Sequence, residues 1–101
     1  MAGGGTHIES DGVATAATVL LVDDDPLQLE RSRQYLELGG YQVRTAAGVI
    51  EAFDAVRRQP PDVVVSDVLL GDLDGFTLCR MIRSEAALAR LPVVLISERF
   101  Q

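Results

Sequence analysis

Val19-Leu20-Leu21-Val22-Asp23-Asp24-Asp25-Pro26 decides how this chain is read: an apolar run ends in three aspartates, and a proline follows at once. The run has the length and character of a strand, and proline suits the first position of a helix. The aspartates therefore stand at the carboxyl end of a strand. A second apolar run, Val63-Val64-Val65-Ser66, ends in the same way on Asp67. In an open parallel sheet, ligands bind in the crevice beyond the carboxyl ends of the strands. If the two runs are neighbours, their carboxylates meet in that crevice. Crowded carboxylates repel one another, and a hard divalent cation that prefers oxygen relieves them. The expectation is a Mg²⁺-dependent site with an aspartate at its centre.

Working outward, residues 18–23 read as the first strand. Asp25 is a natural N-cap for a helix over Pro26–Leu38, which Gly39-Gly40 stops, with Leu29, Ser32 and Leu36 facing the sheet. Residues 41–45 alternate apolar and polar, as an edge strand does. Val49–Arg58 predicts a helix with Phe53 and Val56 inward, closed by Pro60-Pro61. The valines of 62–66 predict a third strand buried on both faces. Gly71-Asp72-Leu73-Asp74-Gly75 reads as loop, with Asp72 and Asp74 serving turn and cap geometry. A helix over 76–84 turns Leu78 and Ile82 inward, and residues 92–97 form a fourth strand. Strand and helix alternate throughout, which implies right-handed crossovers and a parallel α/β sheet.

Residues 1–17 lack periodicity and are expected to form a flexible N-terminal tail. The only histidine, His7, lies there as an exposed tail residue. Residues 18–101 are expected to form one domain. A net charge of −6 argues against direct nucleic-acid binding, which wants clustered basic residues. No apolar run approaches the roughly 20 residues of a membrane helix, so no membrane contact is expected. The single cysteine, Cys79, fits a reducing cytoplasm and reads as a buried structural thiol. All nine basic residues are arginines.

Four segments in order resemble the response-regulator receiver family: 20–26 (Leu-Leu-Val-Asp-Asp-Asp-Pro), 61–67 (Pro-Asp-Val-Val-Val-Ser-Asp), Asp74-Gly75-Phe76, and 91–97 (Leu-Pro-Val-Val-Leu-Ile-Ser). The resemblance runs from Thr18 to Ser97. It implies a flavodoxin-like doubly wound parallel sheet, here incomplete, with about four strands in the order 2-1-3-4 and the final helix-strand-helix missing. It also implies that Asp67 is the phosphoacceptor and that Asp23, Asp24, Asp67 and the main-chain carbonyl of Leu69 hold Mg²⁺. Ser97 matches the hydroxyl that binds a phosphoryl oxygen and carries the switch. The implied partner is a sensor histidine kinase or phosphotransfer protein, chosen through first-helix residues around Leu27, Arg31 and Gln34. Such a module catalyses its own phosphorylation and is not a turnover enzyme.

The sequence departs from the family in four places. No lysine is present among the 101 residues to pair with the phosphoryl group, and the strand that carries it in the family is expected to be missing from them. Glu98 stands where a small residue is usual, and Gly71 replaces a proline, which is expected to loosen the loop. The fourth strand is expected to be an exposed apolar edge that favours self-association. An alternative reading follows: a degenerate receiver that acts without phosphorylation, as an interaction or dimerisation domain. An aspartate-nucleophile phosphohydrolase using Asp23 and Asp25 fits less well, because Pro26 starts a helix at once and the threonine usual in such motifs is missing.

Overall fold

The computed structural model describes residues 16–71 and 73–97. Thr18–Val22 forms β1, Pro26–Leu38 α1, Gln42–Ala46 β2, Val49–Arg58 α2 and Val63–Asp67 β3. A short hairpin of β4 (Leu69–Leu70) and β5 (Leu73–Asp74) follows, then α3 (Gly75–Arg83), a 3-10 turn at Ala86–Leu88, and β6 (Val93–Ile96). The four long strands form one parallel sheet in the order β2-β1-β3-β6. This is the expected 2-1-3-4 arrangement, the hairpin standing apart from it. The strand order reverses between β1 and β3, and that switch point opens the crevice in which such sheets bind ligands.

Local chemistry sets the crevice walls. The Asp25 carboxylate accepts from the N–H groups of Leu27 at 3.0 Å and Gln28 at 3.4 Å, so α1 begins directly beyond β1. Asp74 does the same for α3, accepting the N–H of Thr77 at 2.8 Å and its hydroxyl at 3.0 Å. These bonds hold its carboxyl below the usual carboxylate range. The cap roles expected of Asp25 and Asp74 are therefore in place, whereas Asp72, His7 and Glu98 lie outside the described residues.

The core lies between the sheet and the face covered by α2 and α3. Leu20, Val22, Ala46 and Val64 of the strands meet Val49, Ala52 and Val56 of α2 and Leu78 and Ile82 of α3. Fully burying a side chain such as Leu78 or Ile82 contributes about 2 kcal/mol. On the opposite face α1 packs on β1 and β2. Its stripe of Leu29, Ser32 and Leu36 is only half-buried, and no residue of α1 is fully buried. Ion pairs from Arg33 to Glu30 (2.5 Å) and to Glu37 (2.7 Å) run along its surface.

Several expectations need correction. β3 is not buried on both faces: Val64 and Ser66 are buried, but Val63 and Val65 are half-buried, because α1 covers β1 and β2 rather than β3. The same open face leaves Val94 47% and Ile96 40% exposed on the outer strand β6. Cys79 is half-buried rather than buried. The segment after β3 is a two-stranded hairpin, with Leu70 opposite Leu73, where a plain loop was expected. Among the described residues, no helix is long and apolar enough to cross a membrane.

Candidate functional site

The β1–β3 register pairs Val22 with Ser66, so the next residues along the two strands are Asp23 and Asp67. The strand ends thus bring together two carboxylates 44 residues apart in sequence, and Asp24 joins them. One carboxylate oxygen from each of Asp23, Asp24 and Asp67 lies within 4.8 Å of the other two. The β3–β6 register pairs Asp67 with Ile96, which puts Ser97 at the same end of the sheet, exposed.

The three carboxylates differ in setting. Asp23 is buried, only 8% exposed, and its Oδ1 accepts the N–H of Asp25 at 3.0 Å. Burial raises its pKa above the ordinary 3.8, and the charges of Asp67, Asp24 and Asp25 add to the effect; the Asp25 N–H opposes it. Asp24 is exposed and Asp67 half-buried. A buried carboxylate kept ionised beside two others is short of positive charge, which is the condition a cation relieves. The donors are all hard oxygens, and Mg²⁺ is commonly held by one or two carboxylates with water completing its shell. The residues present fit that ion.

The loop beyond Asp67 is built on its main chain. The N–H of Leu69 points at Asp67 Oδ1 from 3.4 Å, a long contact. The N–H of Val68 donates to the carbonyl of Ile96 at 2.8 Å, and the N–H of Gly75 donates to the carbonyl of Val68 at 2.7 Å. Gly71 turns the hairpin with φ +75°, a conformation glycine adopts freely and proline cannot. The glycine found where the family usually has proline is thus what this hairpin requires. A Cβ at Gly71 would lie 3.7 Å from Asp24 Oδ2, so the turn passes beside the acidic cluster.

Gly75 is fixed by close approach instead. A Cβ there would lie 2.7 Å from the Asp67 carbonyl oxygen, 3.0 Å from Leu95 Cδ2 and 3.3 Å from Ser66 Oγ. Gly75→Ala is therefore expected to cost about 1–3 kcal/mol through overpacking and to shift the backbone of Asp67. Thermal unfolding checks this, and an unchanged midpoint would contradict the close packing.

The match to known proteins follows this geometry. The family model for the response regulator receiver domain matches residues 19–101. The chain belongs to the response-regulator receiver family. The transcriptional regulatory protein GltR of Pseudomonas aeruginosa is 37% identical over 84 residues, covering 83% of this chain and 35% of the relative. The response regulator MprA of Mycobacterium leprae is 38% identical over 81 residues, covering 80% of this chain and 35% of its own length. A crystal structure of the signal receiver domain of a Syntrophus aciditrophicus signal transduction histidine kinase superposes with a TM-score of 0.78 at 34% identity, covering 85% of this chain and 65% of that one. This receiver domain spans about a third of the length of the curated relatives it matches.

Asp23, Asp24 and Asp67 were singled out from sequence and do converge. Two contributors were not: Ser66, buried under Asp67, and Gly75.

Proposed function

We propose that this receiver domain accepts a phosphoryl group on Asp67 with Mg²⁺ held by Asp23, Asp24, Asp67 and the Leu69 carbonyl. The observation that carries the reading is the convergence of Asp23, Asp24 and Asp67 within 4.8 Å at the switch point of the sheet. An oxygen of the Asp67 carboxylate forms a bond to the donor's phosphorus. The donor's P–N bond (phosphohistidine) or P–O bond (acyl phosphate) breaks, and the leaving group departs with the bonding pair. Asp67 is half-buried, so it stays partly open to the donor, with the Leu69 N–H at the start of the hairpin facing its Oδ1. A bound divalent cation supplies charge neutralisation and orientation of the phosphoryl oxygens. Ser97, at the end of β6, offers a hydroxyl to a phosphoryl oxygen and is the proposed switch.

The proposed donor is a sensor histidine kinase or a phosphotransfer protein, docking on the exposed outer surface of α1 around Leu27, Arg31 and Gln34. Hydrolysis by water returns the carboxylate and inorganic phosphate, so the domain times a signal rather than processing a metabolite. Its setting is proposed to be the cytoplasm. The net charge of −6 gives the domain no phosphate-neutralising character of its own. No direct nucleic-acid contact is proposed for this domain.

Calorimetric titration with Mg²⁺ tests the metal site. One binding event is expected, weakened at least about tenfold in Asp24→Asn, the scale on which loss of a supporting group weakens metal sites. A flat titration of folded protein would remove the metal from the account.

A second mode of action is favoured by β6, whose only strand neighbour among the described residues is β3. An uncharged outer strand with two exposed apolar side chains is a template for pairing. We propose that the 101-residue chain self-associates through it, with or without phosphorylation. Sedimentation is expected to show dimers that Val94→Lys disperses; a single monomer species at high concentration would refute it.

A further inference from the structure

Among the described residues, Ser66 is the one fully buried polar side chain, 0% exposed, and no step of the chemistry above uses it. Its hydroxyl donates to the main-chain carbonyl oxygen of the very next residue, Asp67, at 2.8 Å. That carbonyl belongs to the same peptide group as the Val68 N–H, which donates to Ile96 on β6 at 2.8 Å. The peptide plane immediately after the phosphoacceptor is therefore held at both ends, by Ser66 from within the core and by β6 from the side. The bare Cα of Gly75 leaves the carbonyl its space, since a Cβ would come within 2.7 Å of it.

We propose that Ser66 is a positioning residue of the phosphoacceptor, its hydroxyl locking the Asp67–Val68 peptide. The inference rests on the reading of Asp67 as acceptor and deepens it. Rotation of this peptide would swing the turn that leads to Leu69, and with it both the Leu69 N–H facing Asp67 Oδ1 and the Leu69 carbonyl assigned to the metal. It would also loosen the tie to Ile96, the residue before Ser97. A buried hydroxyl bonded to a carbonyl resists that rotation, because breaking the bond leaves both groups without water to replace it. Alanine would remove the lock and leave the carbonyl in an apolar slot.

The test is the rate of phosphoryl incorporation from acetyl phosphate at saturating Mg²⁺, measured beside the thermal midpoint. The proteins are wild type, Ser66→Ala, Ser66→Cys and Val64→Ala. Misplacing a reacting group by 1 Å costs roughly 100-fold, so the smaller shift in Ser66→Ala is expected to slow incorporation about tenfold. Ser66→Cys, close in size with a weak S–H donor, is expected to fall between alanine and wild type. Should Ser66→Ala fail to fold, the cysteine variant carries the comparison alone. Val64→Ala empties a neighbouring buried position on the same strand face and leaves the Ser66 hydroxyl that bonds the Asp67 carbonyl in the sequence. It is expected to melt earlier yet incorporate phosphoryl at the wild-type rate.

Equal rates in wild type and the Ser66 variants would overturn the positioning role while leaving Asp67 as acceptor. A slowdown in Val64→Ala matching that of Ser66→Ala would overturn it too, by reducing the effect to stability. No incorporation in folded wild type would instead overturn the acceptor reading, and the role of Ser66 with it.

Discussion

Asp67→Asn is expected to lose phosphoryl incorporation entirely, by at least about three orders of magnitude, while keeping the fold. The amide has the shape of the carboxylate but lacks the anionic oxygen that forms the new bond, and nucleophilic catalysis does not survive removal of the nucleophile. Asp23 and Asp24 are no substitutes: Asp23 is buried with Oδ1 engaged by the Asp25 N–H, and Asp24 lies beside the hairpin turn. The label on wild type is expected to be an acyl phosphate, labile to hydroxylamine, and peptide mapping is expected to place it on residue 67. Hydroxylamine-stable label, or label mapped to another residue of the wild type, would contradict the assignment.

The second large effect is a trade between stability and metal binding at Asp23. Burial and three neighbouring carboxylates raise its pKa above 3.8 in the folded protein. The folded state then holds the Asp23 proton more tightly than the unfolded chain does. In the window opening just above pH 3.8 the folded state binds more protons, so this group's contribution makes stability fall as pH rises. At neutral pH the full cost of the buried charge is in force. Asp23→Asn removes the charge while its Oδ1 can still accept the Asp25 N–H. Without Mg²⁺ the variant is expected to be more stable than wild type at neutral pH, with a higher Tm. Adding Mg²⁺ is expected to reverse the order. A ligand at 100 times its Kd stabilises by about 2.7 kcal/mol, and the asparagine variant forgoes most of that gain. Scanning calorimetry with and without Mg²⁺ checks both arms; a variant that melts below wild type without metal would contradict the account of Asp23.

Most of the architecture was legible because strong local signals agreed with one another. Pro26 and Asp25 placed the start of α1 and Gly39 its end; the alternation of strand and helix implied a parallel sheet, and the resemblance to the receiver family implied the order β2-β1-β3-β6 that the structure shows. The meeting of Asp23, Asp24 and Asp67 was expected from the strand ends on the condition that the two runs are neighbours, which the β1–β3 pairing fulfils. What escaped was set by tertiary surroundings. The valines of β3 look alike in sequence, and only the position of α1 over β1 and β2 decides that Val63 and Val65 stay half-buried. The β4–β5 hairpin is two residues per strand, shorter than a periodic pattern can reveal. Its one cue was Gly71-Asp72 between Leu70 and Leu73, a turn pair between apolar residues. Ser66 and Gly75 owe their importance to the Asp67 carbonyl, and a main-chain atom leaves no mark in a sequence.

On the proposed function, three aspartates at the switch point make Asp67 a metal-dependent phosphoacceptor. The most direct measurement is the intact mass of the wild-type chain after incubation with acetyl phosphate, with Mg²⁺ in one arm and a chelator in the other. A gain of one phosphoryl group is expected with Mg²⁺ and none with the chelator. An unchanged mass in both arms from folded protein, or an equal gain in both, would contradict it.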